Sequence, residues 1–280
     1  MVKVSFSISQ FMSTKIEQVQ TGLVLSQPML LPWIGMFEQV RLCNHFVFYD
    51  DVQLPLGGGR GRGFITRVQI KTPRGIDWLS LPVARAGKGM QLISDSLFPH
   101  MSWKQEHLGK IVQAYRCTPF FSEIFERVVK PIYSIETHCL SDFCMQSMEM
   151  VWHVLGLAPK KSISSQLSIT TELNSSERIL AICKKFGINN YISGSGAMNY
   201  IDYELFDLAN VKIYFMNYAL ESYPQEHGDF TPYVSIIDPL FNIGIEGVLK
   251  KLNSKAIYWK NWPYYKDGRP IQSNNFSRDK

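Results

Sequence analysis

Hydrophobic and polar positions along residues 21–53 predict a strand, a loop, a helix and a second strand. The apolar run at residues 22–25 indicates a buried strand, which Ser26-Gln27-Pro28 ends. Apolar residues then recur at helical spacing over residues 34–43, just after a proline that the first turn of a helix tolerates. Residues 45–49 read HFVFY and strongly favour a strand. This segment therefore predicts one strand–helix–strand unit.

A second unit of the same order is predicted for residues 189–218. A short strand at 191–192 leads into a glycine loop at 193–196, and a helix over 198–208 and a strand over 211–215 follow. Consecutive units of this kind build a parallel sheet with helices on both faces. We therefore expect an α/β fold with a mostly parallel, Rossmann-like sheet.

The chain between the two units is expected to be mainly helical. Helices with one apolar face each are predicted at residues 103–115, 120–133 and 140–155. Before them, strands at 64–71 and 78–83 are joined by a Thr-Pro-Arg-Gly turn. After them, residues 159–176 suit a connection or a weak strand, and a serine at 175 or 176 is expected to cap a helix that ends at Lys185.

Bulk composition favours a soluble, cytoplasmic protein. The 280 residues are 45% hydrophobic and 19% charged, which is ordinary for a globular chain. Five cysteines without a CxxC motif predict reduced thiols, and the spacing of His138, Cys139 and Cys144 matches no common zinc pattern, so we predict no metal. The sequence contains no uninterrupted run of 18 apolar residues, so no membrane-spanning segment is predicted. We divide the chain into a flexible segment (1–20), an α/β domain (21–252) and an aromatic, then polar, tail (253–280).

A mild excess of positive charge narrows the choice of ligand only slightly. The formal charge of +5 suits an anionic nucleotide or a tRNA, and equally a surface with a few more basic than acidic residues. Residues 57–63 contain five glycines and predict a mobile loop. Arg60 and Arg62 on this loop, with Arg67 and Lys71 close behind, can hold a phosphate, although a plain surface loop fits as well.

Polar residues are predicted to gather where the parallel strands end, which is where such sheets bind ligands. Asp50 and Asp51 follow a strand and can hold a metal, bind a sugar hydroxyl or accept a proton from an amine, but aspartates also simply end strands. The 193–196 loop offers backbone N–H groups to an anion, and a structural turn explains it equally well. His107, on a predicted helix, is a weaker candidate for a catalytic base.

The same residues resemble the WbqC-like proteins over residues 22–250, nearly the whole ordered chain. The most specific blocks are Pro32-Trp33 and Asp50-Asp51-Val52-Gln53, in that order. The chain departs from the usual family pattern at Ser26, where many members carry histidine, and at the glycine-arginine loop. If that histidine is catalytic in the family, this chain needs another base. The remaining matching residues are Gln27, Pro28, Leu31, Ile34, Gly35, Val47, Phe48, Tyr49, Arg67, Ile70, Lys71, Thr72, Trp78, Pro82, Val83, Trp103, His107, Tyr115, Tyr191, Ile192, Ser193, Gly194, Gly196, Tyr200, Asp202, Ser235, Ile236, Ile237, Asp238, Phe241 and Asn242.

The resemblance implies glycine transfer, which has been proposed for members in bacterial surface-polysaccharide (lipopolysaccharide, O-antigen) synthesis. We therefore expect an acyl or aminoacyl transferase that N-acylates a nucleotide-linked amino sugar. No dedicated cofactor is predicted, and the donor is an ATP-activated amino acid, an aminoacyl-tRNA or a carrier thioester. The strand–loop–helix–strand order is also similar to the nucleotide-binding half of class I synthetases and pantothenate synthetases, at the level of fold alone.

We assign Asp50, Asp51 and His107 to catalysis, and we expect Asp51→Asn to abolish turnover while leaving the fold intact. Two alternatives stay open at this point: a nucleotide-sugar-dependent glycosyltransferase, and a non-catalytic nucleotide- or RNA-binding module. The predicted substrate-binding residues are Ser26, Gln27, Trp33, Gln53, Arg60, Arg62, Arg67, Lys71, Tyr115, Ser193, Gly194, Ser195, Gly196, Tyr200 and Asp238.

Overall fold

The computed structural model describes residues 22–55, 65–84, 90–266 and 268–272. The N-terminal segment, the glycine-arginine loop with Arg60 and Arg62, and residues 273–280 lie outside this part of the chain. The strands are β1 (Gly22–Ser26), β2 (His45–Phe48), β3 (Arg67–Thr72), β4 (Gly75–Ser80), β5 (Lys160–Ile163), β6 (Asn190–Ser193), β7 (Lys212–Asn217), β8 (Lys255–Tyr258), β9 (Tyr265–Lys266) and β10 (Arg269–Pro270). The α-helices are α1 (Ile34–Leu42), α2 (Trp103–Tyr115), α3 (Phe121–Ile124), α4 (Lys130–Tyr133), α5 (Leu140–Val154), α6 (Ser175–Lys185), α7 (Tyr203–Leu208) and α8 (Ile237–Lys251).

Six strands form the main sheet, in the order β5-β2-β1-β6-β7-β8. The first five are mutually parallel, and β8 adds antiparallel to β7 at one edge. Numbered among the parallel strands alone, the order is 3-2-1-4-5, the arrangement of doubly wound nucleotide-binding folds. The prediction of an α/β fold with a mostly parallel, Rossmann-like sheet is confirmed.

Alternating side chains of the strands bury the two faces of the sheet against different helices. Val24 and Phe46 pack with residues of α1, α5 and α8 on one face. Leu23 and Val47, their immediate neighbours in sequence, pack with residues of α6 and α7 on the other. Because successive side chains of a strand point to opposite faces, short apolar runs with no polar position are what a two-sided sheet requires.

The long connection from β2 to β5 contains the β3–β4 hairpin and α2 to α5. The hairpin closes at Thr72 and Gly75, as the turn residues predicted. A π-helical turn, Phe125–Val129, joins α3 to α4, so residues 121–133 are helical throughout, close to the predicted span. The predicted weak strand in this part of the chain is β5, which pairs with β2.

Three local predictions were wrong, each for an identifiable reason. The helix predicted from residue 198 begins only at Tyr203, because Asp202 accepts a hydrogen bond from the backbone N–H of Leu205 and caps it there. The cap of α6 is Asn174, not a serine, and it forms a capping box with Glu177. Residues 255–258, assigned to a tail, form β8 of the sheet.

Helix α8, which the sequence pattern did not reveal, spans 15 residues and is broken at Gly244, whose φ of 69° and ψ of −180° are not helical. Across the described residues, no helix has both the length and the apolar character needed to cross a bilayer.

Candidate functional site

The topology of the sheet creates a crevice between β1 and β6. From β1 the chain passes through α1 to β2 on one side, whereas from β6 it passes through α7 to β7 on the other. The two strands lie side by side with Val24 opposite Ile192, so Ser26 and Ser193 end at the same edge. In doubly wound sheets this divergence leaves room for a ligand beyond the carboxyl ends of the strands.

The glycine loop after β6 lies against α1. Ser193 is buried and within 3.5 Å of the hydroxyl of Tyr191, and a short 3₁₀ turn, Ser195–Ala197, follows. Gly194 has an ordinary extended backbone, but a Cβ added there would lie 3.1 Å from Nε2 of Gln39. A larger residue at this position would displace the end of Gln39, a residue that the sequence did not single out and whose amide lies beside the crevice.

An aromatic group lies at the N-terminus of α1. The Trp33 ring packs over Gly35, where an added Cβ would come within 2.2 Å of the ring. It contacts Tyr218, just beyond β7, and Tyr233, at ring-centroid distances of 5.8 and 4.9 Å. Trp33 is half-buried, so part of its surface is open to a ligand at the carboxyl edge of the sheet.

The backbone next to Trp33 is strained. Leu31 has φ of 38° and Tyr233 has φ of 63°, values that side-chain-bearing residues rarely adopt. Ser235 Oγ donates to the carbonyl of Leu31 at 2.8 Å, and Ile236 N–H donates to the carbonyl of Pro32 at 3.0 Å. Strain held in this way is typical of sites where a side chain must be presented in a fixed orientation.

Asp50 joins the ends of β2 and β5. Its carboxylate accepts hydrogen bonds from Ser165 N–H at 3.0 Å and Ser165 Oγ at 2.8 Å, and Ser164 Oγ lies 3.1 Å from it. The side chain is buried, at 3% exposure, so these bonds replace its water shell. In the folded protein, Asp50 therefore orders the edge of the sheet, and its catalytic role stays a prediction.

Asp51 forms a buried ion pair with Arg178 of α6. Their side chains are 10% and 3% exposed, and Ser164 Oγ also donates to Asp51. The guanidinium lies 5.0 Å from the ring centroid of Tyr49, and its Nη1 makes long contacts of 3.5 Å to the Tyr49 hydroxyl and 3.4 Å to the Asp51 carbonyl. Its buried Nε has no acceptor among the described residues.

The sequence reasoning missed Arg178, although one signal was present. An arginine near the N-terminus of a helix opposes the helix dipole, and Arg178 also lies among the apolar positions of α6. A cation in such a place needs a buried carboxylate, which Asp51 supplies. Burial raises the pKa of the adjacent Tyr49, with the Arg178 charge opposing that effect, so Tyr49 remains a neutral hydroxyl beside the pair.

His107 lies in the aromatic cluster of the β2–β5 connection. Its Nδ1 is 3.1 Å from the Tyr133 hydroxyl, and its Nε2 is 3.1 Å from the Ser80 carbonyl. Burial lowers its pKa to about 4, so the ring is neutral at pH 7, with Nε2–H donating to Ser80. Both ring nitrogens are therefore engaged, and the proposed role of His107 as a base remains untested.

Three predicted substrate-binding residues, Asp238, Tyr115 and Lys71, belong to one buried hydrogen-bond network. Tyr115 and Tyr223 donate to the two carboxylate oxygens of Asp238 at 3.0 and 2.8 Å, and Gln225 Nε2 donates at 2.9 Å. Burial raises the pKa of Asp238, against the lowering effect of these hydrogen bonds. The third residue, Lys71, donates its backbone N–H to the Tyr115 hydroxyl.

The ammonium of Lys71 is fully engaged within the protein. It donates to Gln225 Oε1, Gly228 O and Asp229 O at 3.2, 2.9 and 2.6 Å. Since an ammonium has three N–H groups, none is left for a phosphate in this conformation. The network fastens the segment after β7 to the hairpin and α8, which holds Tyr218 and Tyr233 near Trp33.

The other predicted binding residues lie at the surface. Gln53 is exposed and bridges to Leu92, and Arg67 is exposed with its guanidinium 4.6 Å from the Trp78 ring centroid. Tyr200 is 78% exposed and lines a separate groove beside α7. Gln27 and Ser195 are half-buried at the carboxyl edge of the sheet.

Comparison with known proteins identifies the chain's relatives. Residues 27–250 match the model of the WbqC-like protein family. The chain is 29% identical over 226 residues to the uncharacterized protein Rv1507c of Mycobacterium tuberculosis (strain ATCC 25618 / H37Rv), a match that covers 80% of this chain and 94% of that protein. No solved structure matches significantly. Because the family match spans most of the described fold, including the Asp51–Arg178 pair, the chain belongs to the WbqC-like protein family.

Proposed function

We propose that the protein is a transferase that N-acylates a nucleotide-linked amino sugar with a glycyl or related aminoacyl group, in bacterial surface-polysaccharide biosynthesis in the cytoplasm. The observation that carries the nucleotide part of the proposal is the crevice at the switch point of a 3-2-1-4-5 sheet. The acyl-transfer part rests on the resemblance of the chain to the WbqC-like family.

The crevice suits the nucleotide. The exposed part of the Trp33 ring is a platform on which a base can stack, and the 193–196 loop brings backbone N–H groups to the same edge as Gln27. Aromatic stacking and backbone donors are both common means of holding nucleotides.

Chemistry at this edge would require one new bond and one proton transfer. The nitrogen lone pair of the sugar amine attacks the carbonyl carbon of the activated acyl group, a C–N bond forms, and the bond from that carbon to the oxygen or sulfur of its carrier breaks. The amine loses a proton, which a base must accept. We assign the orientation of the amine to Asp51, which Arg178 and Ser164 hold in place. His107, the candidate base, would have to release the Tyr133 hydroxyl from Nδ1 before it could accept the proton.

The metal-dependent glycosyltransferase alternative gains no support from the aspartate pair. Asp50 and Asp51 direct their oxygens to serine donors and to Arg178. Across the described residues, no three His, Cys, Asp or Glu side chains come together as a metal-binding group.

A substitution that fills the crevice tests the nucleotide part of the proposal. Gly194→Leu keeps an allowed backbone, and its Cβ meets the flexible end of Gln39 and no other atom within 4 Å among the described residues, so the protein should fold. The control is Gly109→Leu on α2, where an added Cβ meets nothing within 4 Å. Binding of UDP- and dTDP-amino sugars, measured by calorimetry, should fall at least about tenfold in the first variant alone, as expected for the loss of ~1.4 kcal/mol or more. Equal binding by both variants would place the nucleotide elsewhere.

Turnover needs its own assay. The protein is incubated with each amino-sugar nucleotide and with labelled glycine plus ATP, glycyl-tRNA or a glycyl thioester, and the products are analysed by mass spectrometry. The proposal predicts a mass gain of one glycyl or related acyl residue on the sugar. If the amino-sugar nucleotide binds but no donor yields such a product, the non-catalytic nucleotide-binding alternative is favoured.

A further inference from the structure

A groove of about 890 Å³ lies beside α7, away from the features assigned to the nucleotide. It runs between the turn that leads into α7, α7 itself, and the segment that follows β8. This volume is within the range of small-molecule sites, which is about 300–1,000 Å³. Its walls include Tyr200, Asp202, Glu204, Asp207, Trp259 and Arg269.

The charge of the groove is opposite to that of the whole chain. Three carboxylates and one guanidinium line it, and Lys260 pairs with one of the carboxylates, Asp207, which gives a local charge of −1, whereas the chain carries +5. Glu204 is exposed and has no ion-pair partner among the residues that the structure describes. A phosphate or nucleotide would be repelled here, and a cation would be attracted.

The groove contains aromatic rings that can contact a cation or a sugar ring. Tyr200 is 78% exposed, so its ring is accessible to a molecule in the groove. Trp259 is part of the same wall and packs against Tyr203 at a ring-centroid distance of 4.5 Å. Aromatic faces attract ammonium groups through the ring quadrupole.

The chain itself already places a cation at one end of the groove. The Lys260 ammonium lies 5.2 Å from the Trp259 ring centroid and 2.7 Å from Oδ2 of Asp207. The hydrogen bond to Asp207 raises the pKa of Lys260, which agrees with the negative potential of this surface. An ammonium beside Tyr200, Asp202 and Glu204 would repeat the same combination of ring and carboxylate at the other end.

We propose that this groove binds a small molecule that carries a protonated primary amine on a ring, with the ring against Tyr200 and the ammonium at Asp202 and Glu204. The site is distinct from the crevice between β1 and β6 and does not depend on the proposed transfer reaction. The Asp202 carboxylate can take part because its bond to the Leu205 N–H leaves acceptor capacity unused.

The probes are glucosamine and glucose, which share a ring and differ in the ammonium group. Binding at mildly acidic pH is followed by saturation-transfer NMR and titration. We expect millimolar affinity for glucosamine, and binding of glucose at least about tenfold weaker, as the loss of one charge-assisted contact predicts. Equal binding of the two sugars, or no binding of glucosamine, would overturn the proposal.

Two variants test whether the binding site for glucosamine is the groove. Tyr200→Ala and Glu204→Gln alter exposed side chains, so their thermal stability should match that of the wild type. Each should weaken glucosamine binding about two- to fivefold. Glu172→Gln, which removes an exposed carboxylate from another part of the surface, is the matched control and should leave binding unchanged. Unchanged binding of glucosamine in both groove variants would refute the location. Glu204→Gln should bind the nucleotide as the wild type does, which keeps this outcome separate from that of Gly194→Leu.

Discussion

Replacing Asp51 with asparagine is expected to destabilise the fold as well as to disturb the candidate site. The sequence alone suggested that this change would leave the fold intact, but Asp51 neutralises Arg178, whose side chain is only 3% exposed. Removing one partner of a buried pair leaves an uncompensated charge and costs ~3–5 kcal/mol. Asparagine keeps one oxygen for a hydrogen bond, so we expect about 3 kcal/mol, at the lower end of this range.

The partner substitution completes a double-mutant cycle. Arg178→Met keeps much of the apolar stem and leaves Asp51, which is 10% exposed and still bonded to Ser164, at a cost of about 2–3 kcal/mol. The double variant removes both charges together, so its loss should be smaller than the sum of the single losses. The coupling free energy should then be at least about 2 kcal/mol.

Thermal unfolding followed by circular dichroism measures all four proteins. A loss of about 3 kcal/mol corresponds to a fall in Tm of roughly 6–9 °C for a chain of this size. If Asp51→Asn melts within a degree of the wild type, or if the coupling is near zero, the pair does not stabilise the fold as the geometry indicates. Activity of the double variant, in which neither buried charge is left alone, then tests the role of Asp51 in turnover apart from stability.

Two further predictions concern the buried polar groups. Burial lowers the pKa of His107 to about 4, below the unfolded value of ~6.5, so stability present at pH 7 is lost as the pH falls through this window, by about 2–3 kcal/mol at pH 4.5. Urea unfolding at both pH values should show this loss in the wild type, and a smaller one in His107→Gln, which does not titrate; equal pH dependence would assign it to other groups. Asp238→Ala leaves the buried hydroxyls of Tyr115 and Tyr223 without their acceptor and should cost at least about 3 kcal/mol, whereas a melting temperature close to that of the wild type would mean that the network is dispensable.

The sequence was sufficient for elements that have a regular pattern of their own. Helix α2 begins and ends at the predicted residues, Trp103 and Tyr115, because one apolar stripe runs its whole length. Strands β1 and β2 were evident from apolar runs bounded by polar residues. In contrast, β8 was assigned to the tail, because its KAIY sequence has no strong pattern and the strand exists only through pairing with β7.

The candidate site was predictable only in part. Four polar segments were expected at the carboxyl edge of the sheet, and one of them, the glycine-arginine loop, lies outside the described residues. Ser26, Asp51 and Ser193 of the other three lie there because strand ends follow from the strand order. The partners of these residues were not predictable. Arg178 is 127 residues from Asp51, and nothing local to either residue specifies the other. Lys71 looked like a phosphate ligand, yet its ammonium is bonded inside the protein.

The pairing of β1 with β6 has a consequence for how the molecule is made. Leu23 pairs with Tyr191, so the central ladder of the sheet joins residues 168 positions apart. During synthesis, about two-thirds of the chain is made before β6, the second neighbour of β1, exists. Until then, one side of the apolar strand β1 is unpaired. Non-local parallel pairing is slow because the loop must close before any contact stabilises it. The crevice is therefore among the last features to form, and nascent chains that stop short of residue 190 would expose the interior strand of the sheet to other molecules.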